Sequence, residues 1–170
     1  MNAENRRQAI LTLLSQSDAP VSAGTLASRF SVSRQIIVGD IALLRAAGAD
    51  ISATPRGYTV HREQEGLLRT VACVHTKEQT EQELNIMVDN GCAVLDVVVE
   101  HPIYGQMTGQ LQLSSRYDVA QFMERLRTAG GAPLSALTDG IHLHTLRCPD
   151  EAAYRRTCDQ LRAAGLLLNT

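Results

Sequence analysis

Along the first sixty residues, hydrophobic positions recur three and four residues apart, which is the spacing of amphipathic helices. Ile37, Ile41 and Leu44 form one such stripe. Ser22 and Ser33 each precede a helical stretch, and a serine hydroxyl in that place accepts a backbone N–H of the first turn. We therefore predict three helices and a β-hairpin, over residues 4–16, 23–30, 34–46 and 49–60.

Beyond residue 66 the pattern changes to apolar and alternating runs that indicate strands, with helical stretches between them. The predicted order is β-α-β-β-α-β-α, that of a ferredoxin-like α/β sandwich with an added helix. The fold class is thus α+β, with a first domain over 1–62 and a second over 67–170. The polar residues 62–66 are typical of a linker, or of a helix that joins the domains. The strands are expected at 67–74, 93–100, 107–113 and 141–146, and the helices at 77–89, 116–128 and 150–164.

Charge is distributed unevenly along the chain. Residues 1–62 carry seven arginines against four acidic residues, whereas residues 63–170 carry nine basic and fourteen acidic residues. This asymmetry favours contact of the first domain alone with a polyanion.

Composition indicates a cytoplasmic protein. No apolar run approaches the ~20 residues that a membrane span needs, and the N-terminus lacks the pattern of a signal peptide. The four cysteines are widely spaced, without a C-x-x-C pair. Reduced thiols are therefore expected.

His142 and His144 lie two residues apart in a predicted strand, so their imidazoles share one face of the sheet. His75, at the end of a strand, and Glu83, two turns into the next helix, are candidates to join them. Three imidazoles and one carboxylate suit zinc, nickel, cobalt or iron(II). Cys73, two residues before His75, is an alternative ligand. Spacing alone leaves open that these histidines are only hydrogen-bonded surface groups.

Three helices and a hairpin, with a short second helix and a serine-capped third, form a winged helix-turn-helix. The run 26–41 resembles the bacterial winged helix-turn-helix repressors. In such proteins the third helix lies in the major groove, and arginine and glutamine there pair with guanine and adenine. The candidate DNA-contacting residues are Ser33, Arg34, Gln35 and, at the hairpin tip, Arg56. The alternative is a protein-binding winged helix with solvated arginines.

Gly39 departs from this family, whose members usually carry a basic residue at that position. Glycine in the middle of a helix destabilises it by about 1 kcal/mol relative to alanine. Glycine also supplies no phosphate contact, so this departure bears on the DNA affinity of the helix and on how strongly the helix reads its site.

The second domain resembles the three-histidine (3H) domain in the stretches 75–83, 101–105, 115–118 and 133–145. A helix-turn-helix followed by a 3H domain resembles the niacin-responsive, NiaR-type repressors of NAD biosynthesis and niacin-uptake genes. The resemblance implies a metal site at the four candidate ligands, which are His75, Glu83, His142 and His144.

The same resemblance implies one divalent transition metal per chain, nickel or zinc, with cobalt or iron as alternatives. It also implies nicotinic acid or a related pyridine as co-repressor, with His101 and Tyr104 in the effector pocket. Alternatively, His101 only caps the end of a strand and Tyr104 belongs to the hydrophobic core. A homodimer on two-fold operator DNA is expected.

The chain is expected not to be an enzyme. Two alternatives remain open: a metal-dependent enzyme that acts on a pyridine compound, and a repressor that senses the metal itself.

Overall fold

The first unit of the chain is built from three helices and a hairpin, as the hydrophobic spacing predicts. A computed structural model describes residues 1–60 and 66–168, and contacts along the chain separate two units, residues 1–63 and 64–170. Most of the predicted linker, residues 62–65, lies outside the described residues. The elements of the first unit are α1 Ala3–Gln16, α2 Ala23–Phe30, α3 Arg34–Ala46, β1 Ile51–Thr54 and β2 Gly57–Val60.

The predicted helix caps are present. The Ser22 hydroxyl accepts a hydrogen bond from the Thr25 N–H at 3.0 Å, and the Ser33 hydroxyl accepts one from the Ile36 N–H at 3.3 Å. Each cap satisfies a backbone donor that the first turn of a helix leaves without a partner. The two serines thereby set where α2 and α3 begin.

The core of the first unit is aliphatic, and one ion pair lies beside it. Ile10, Leu26 and Ile37 are fully buried. Asp40 on α3 is also buried, and its carboxylate accepts hydrogen bonds from Arg6 Nε at 2.6 Å and Nη2 at 3.3 Å. This ion pair connects α3 to α1, and the Arg6 guanidinium therefore binds a partner within the unit.

The second unit follows the predicted β-α-β-β-α-β-α order. No described helix in either unit is long and apolar enough to span a bilayer. The elements are β3 Leu67–Val74, α4 Thr80–Asp89, β4 Ala93–His101, β5 Gly105–Leu113, α5 Arg116–Thr128, β6 Ile141–Cys148 and α6 Glu151–Ala163.

The four strands of this unit form one antiparallel sheet in the order β3-β6-β4-β5. The last strand, β6, therefore lies between β3 and β4, which run parallel to each other as in a split β-α-β unit. Buried positions alternate along β6, and Leu146 and Cys148 belong to the core that also includes Leu84 of α4 and Leu161 of α6. The helices thus cover the face to which the even-numbered residues of β6 point.

Differences from the predicted elements are small. β4 and β5 extend farther toward their turn, because His101 pairs with Gly105. The helix predicted over 77–89 begins as a 3₁₀ turn, Lys77–Gln79, before α4 starts. A second 3₁₀ segment, Leu134–Thr138, was not predicted. Short 3₁₀ turns carry too few residues for a hydrophobic period to reveal them.

Candidate metal centre

The Glu83 carboxylate lies at the centre of a cluster of three imidazoles. Its Oε2 is 2.7 Å from His75 Nε2 and 3.3 Å from His144 Nε2, and its Oε1 is 3.0 Å from His142 Nε2. All four side chains are at most 3% exposed. The structure therefore brings together the four predicted ligand residues, which we call the Glu83 centre. They come from α4, from β6 and from the residue that follows β3.

Strand alternation explains why the two β6 histidines meet α4. His142 and His144 are buried on the same face as the core positions of β6. In the β3–β6 register, Cys73 lies opposite His142 and Val71 lies opposite His144. Because α4 packs on that face, its Glu83 lies directly over the pair.

Each of the three imidazoles donates a hydrogen bond from Nδ1 to a main-chain carbonyl oxygen. A carbonyl oxygen can only accept, so each Nδ1 carries the hydrogen and each Nε2 faces Glu83. This orientation is typical of metal-binding histidines. The pairs are His75 with Thr76 O at 2.7 Å, His142 with Gly140 O at 2.8 Å, and His144 with Asp96 O at 2.6 Å.

Charges within the Glu83 centre shift the pKa values of His75, Glu83 and His144. Burial lowers the pKa of His75 and of His144, but the Glu83 carboxylate outweighs burial and raises both. Burial likewise raises the pKa of Glu83, but the three imidazoles hold it well below its usual range. Glu83 is therefore an ionised carboxylate that faces three ring nitrogens.

This arrangement fits a bound cation. Three neutral Nε2 atoms would direct lone pairs at the carboxylate, and three protonated ones would bury two net positive charges. His75 Nε2 lies close to Glu83 Oε2, yet it forms no hydrogen bond within the described part of the chain. A divalent ion bound by the four groups would accept the lone pairs of the three neutral Nε2 atoms, so that these atoms neither face the carboxylate directly nor have to be protonated. Imidazole nitrogen and carboxylate oxygen are ligands of zinc and of other first-row divalent metals.

Cys73 lies in the same cluster. Ligand atoms of Cys73, Glu83 and His142 lie within 4.8 Å of one another, and Cys73 is fully buried. Burial, and then the nearby carboxylate, raise the pKa of its thiol. Without a metal the sulfur is therefore protonated, and its position keeps it available as an additional ligand.

His101 and Tyr104, the predicted effector residues, lie at the tip of the β4–β5 hairpin. Their rings stack with centroids 5.0 Å apart, and His101 Nδ1 accepts a hydrogen bond from the Ile103 N–H at 3.2 Å. The Tyr104 side chain is largely exposed. The structure brings these two rings together, but a cavity beside the Glu83 centre is lined by other residues.

The predicted DNA-contacting residues lie on the first unit. Arg34 and Gln35 are exposed in the first turn of α3, directly after the cap residue Ser33. Arg56 lies in the turn between β1 and β2 and is half-buried. Gly39 is exposed in the middle of α3, and a Cβ there would meet no atom within 4 Å.

Two residues that orient the Glu83 centre were not identified from the sequence. The main-chain oxygen of Asp96 accepts a hydrogen bond from His144 Nδ1. The Asp96 carboxylate accepts a second one from the Thr145 N–H at 3.0 Å. Gly140 accepts from His142 and packs against His75. An acidic residue inside an otherwise apolar strand was the available signal for Asp96, and the Asp-Gly turn was the signal for Gly140.

Comparison with known proteins agrees with this architecture. Residues 68–170 match the 3H domain and residues 6–59 match an HTH domain. The transcription repressor NadR of Bacillus subtilis (strain 168) is 43% identical over 171 residues, which cover 96% of this chain and 93% of NadR. The chain belongs to the NadR/NiaR family of transcription repressors. A probable transcription repressor NiaR of Thermotoga maritima is 42% identical over 165 residues, or 97% of this chain and 94% of that relative.

Membership in the NadR/NiaR family confirms the resemblance and the predicted fold, a winged helix-turn-helix followed by a 3H domain. The names of both relatives describe a regulatory role and not an enzymatic one. This confirms the prediction that the chain is not an enzyme, and it removes support from the metalloenzyme alternative.

Proposed function

We propose that this chain represses genes of NAD biosynthesis or niacin uptake in the cytoplasm. Nicotinic acid or a related pyridine is the co-repressor. One divalent transition metal per chain, nickel or zinc with cobalt or iron as alternatives, is held by His75, Glu83, His142 and His144. The observation that carries the proposal is the Glu83 centre, where three imidazoles of fixed tautomer direct Nε2 at one buried carboxylate.

DNA is bound by the first unit. The exposed Arg34 and Gln35 at the start of α3 contact base edges in the major groove. Arg56 in the hairpin turn contacts a phosphate or the minor groove. The Ser33 cap sets the direction of the first turn of α3. Two copies bind a two-fold operator as a homodimer, with recognition helices about 34 Å apart.

The Glu83 centre joins β3 and α4, which are neighbours in sequence, to the distant strand β6. His75 directly follows β3, Glu83 belongs to α4, and His142 and His144 belong to β6. The metal, when bound, supplies a Lewis-acidic position for a pyridine nitrogen or a carboxylate oxygen. The three imidazoles stay oriented by their main-chain acceptors, so the protein holds the ligand set ready before the ion arrives.

Metal content tests the ligand assignment. We expect purified wild-type protein to contain about one transition-metal ion per chain and His144→Ala to contain much less, as measured by elemental analysis. His101→Ala is the matched control, because His101 lies at the β4–β5 turn, outside the ligand set. Equal metal content in all three proteins would remove the assignment.

Calorimetric titration tests the regulatory coupling. Linkage requires that operator DNA tighten nicotinic acid binding by the same factor by which nicotinic acid tightens DNA binding, typically about 5–150-fold. Equal affinity for nicotinic acid with and without operator would contradict the co-repressor role.

A repressor that senses the metal itself is the second candidate. The small cavity beside the centre, about 30 Å³, favours it, because so little space is left for an organic ligand. In that case operator affinity would follow the metal concentration in the absence of any pyridine.

A further inference from the structure

The exposed surface of α3 carries apolar side chains along most of its length. Between Gln35 and Arg45, every exposed position of this helix is an apolar residue or glycine. Three of these residues are large: Ile36 is 43% exposed, Val38 is 39% exposed and Leu43 is 56% exposed. The solvent-facing side of a helix in a globular protein usually carries charged and polar residues instead. The middle of α3 therefore presents neither charge nor hydrogen-bonding side chains to a partner.

Val38 shares a face of α3 with the two residues that are proposed to contact base edges. It follows Arg34 by four residues and Gln35 by three, and helical side chains at these spacings are neighbours. Leu43 follows Arg34 by nine residues, about two and a half turns, so it lies on the opposite side of the helix. Ile36 is two residues from Arg34 and from Val38, a spacing that separates side chains around a helix. Val38 is thus the large apolar side chain that accompanies Arg34 and Gln35.

The chemistry of the major groove limits what a valine can recognise there. A valine side chain neither donates nor accepts a hydrogen bond. Base edges present hydrogen-bond donors and acceptors in the major groove, and one apolar group, the C5-methyl of thymine. Phosphate oxygens are charged and favour basic or hydrogen-bonding partners. The group on DNA that matches Val38 is therefore the thymine methyl.

The surroundings of Val38 allow a close approach to DNA. Gly39 has no side chain, and Ala42, one turn after Val38, is exposed and small. The acidic residue of α3, Asp40, is buried and paired with Arg6, so its charge does not face a phosphate backbone. A short valine side chain can reach a base edge from such a surface, because no longer side chain beside it holds the helix away.

We propose that Val38 is a specificity-determining residue that recognises one thymine in each operator half-site through the C5-methyl. This thymine lies beside the bases that Arg34 and Gln35 contact, because the three side chains share one face of α3. Contact between two apolar groups removes both from water and neutralises no phosphate charge, so it adds sequence selectivity without adding salt dependence. The inference rests on the proposed function for the position of α3 in the major groove.

Replacement of thymine by deoxyuridine, which lacks only the methyl group, tests the contact. Selection from random DNA duplexes by the metal-loaded full-length chain, with nicotinic acid present, first identifies the preferred half-site. Each thymine of that half-site is then replaced in turn. We expect the affinity of the wild type, measured by fluorescence anisotropy, to fall about fourfold for each methyl removed at one of these positions. Unchanged affinity at every position would overturn the inference.

Val38→Ala assigns the methyl contact to this residue. Alanine favours helix, so the variant should fold, but its side chain is too short to reach the methyl. We expect Val38→Ala to bind the thymine duplex more weakly than the wild type and to lose most of the difference between thymine and deoxyuridine. Leu43→Ala is the matched control, because Leu43 is also apolar and exposed but lies on the other side of α3. It should keep the full difference.

The outcomes separate this inference from the proposed function. A wild-type chain that enriches no sequence would remove the DNA-binding role of α3, and the inference with it. A chain that enriches a sequence but shows the same thymine preference in Val38→Ala as in the wild type would overturn the inference alone.

Discussion

The imidazoles of His75, His142 and His144 each have one ring nitrogen occupied by a main-chain carbonyl. Their orientation is therefore a property of the backbone and does not depend on a bound ion. The remaining nitrogens face Glu83, whose charge favours protons on those of His75 and His144 when no metal is present. A metal ion and protons thus compete for these two atoms.

This competition predicts that metal binding releases protons and weakens in acid. Glu83 raises the pKa of His75 and of His144, so the metal-free centre keeps protons up to a higher pH than free histidine does. Zinc titrations near neutral pH, in buffers of different ionisation enthalpy, should give different apparent enthalpies. Apparent affinity should fall as the pH is lowered through the raised pKa values. Identical enthalpies in every buffer would contradict the prediction.

Gly39 provides a second test at the scale of one residue. Gly39→Ala should stabilise the first unit by about 1 kcal/mol, because alanine favours helix and a Cβ at this exposed position meets no neighbour. Chemical denaturation measures the change. Gly39→Lys should in addition tighten operator binding and steepen its salt dependence by about one phosphate contact. Gly39→Ala separates the helix effect from the charge effect, and equal salt slopes for the two variants would exclude the added contact.

Among the elements, β6 contributes most to the candidate site. Its register with β3 places Cys73 opposite His142, and a slip of one residue would turn both β6 imidazoles to the other face of the sheet. Gly140 directly precedes this strand with a φ of +89°, and a Cβ at that position would overlap the carbonyl oxygen of His75. The turn thus requires glycine for both its backbone angle and its close approach.

Gly140→Ala should disturb the second unit and the Glu83 centre together. We expect a loss of more than about 1 kcal/mol in stability and a lower metal content, because the substitution displaces the backbone of His75 and His142. Thermal unfolding and elemental analysis measure the two effects. Gly130→Ala is the matched control, since Gly130 also has a positive φ, +62°, but a Cβ there meets nothing within 4 Å. Similar results for the two variants would show that the close approach at Gly140 is unimportant.

For the whole molecule, the two units have separate cores and different chemistry. The basic excess of residues 1–62 includes Arg6, which pairs with Asp40, and Arg45, which donates to Ile51 O. Part of that charge therefore stabilises the unit itself. The exposed Arg34 at the start of α3 provides charge on the proposed DNA-binding surface. The Glu83 centre belongs entirely to the second unit.

Chelation should therefore destabilise the second unit selectively. A ligand present at a thousand times its Kd stabilises the folded state by about 4 kcal/mol, so removal of the metal with EDTA should lower the unfolding temperature of residues 64–170. Differential scanning calorimetry of the full chain measures this. The transition of the first unit serves as the internal control, because it contains none of the proposed ligands. An unchanged second transition would contradict a structural role for the metal.

Local features of this protein followed from the sequence by itself. The helix caps at Ser22 and Ser33, like the hydrophobic stripes of the helices, depend on residues that lie three and four positions apart. His142 and His144 share one face of the sheet because a strand has a two-residue period. Family resemblance, rather than spacing, joined His75 and Glu83 to that pair.

Only the tertiary structure decided how distant segments meet. It placed β6 between β3 and β4, brought Glu83 over the imidazoles and supplied Asp96 as the acceptor that orients His144. Hydrophobic periodicity encodes the face that each element buries, but not which strands pair across fifty or more residues, because those pairings depend on packing of the whole unit.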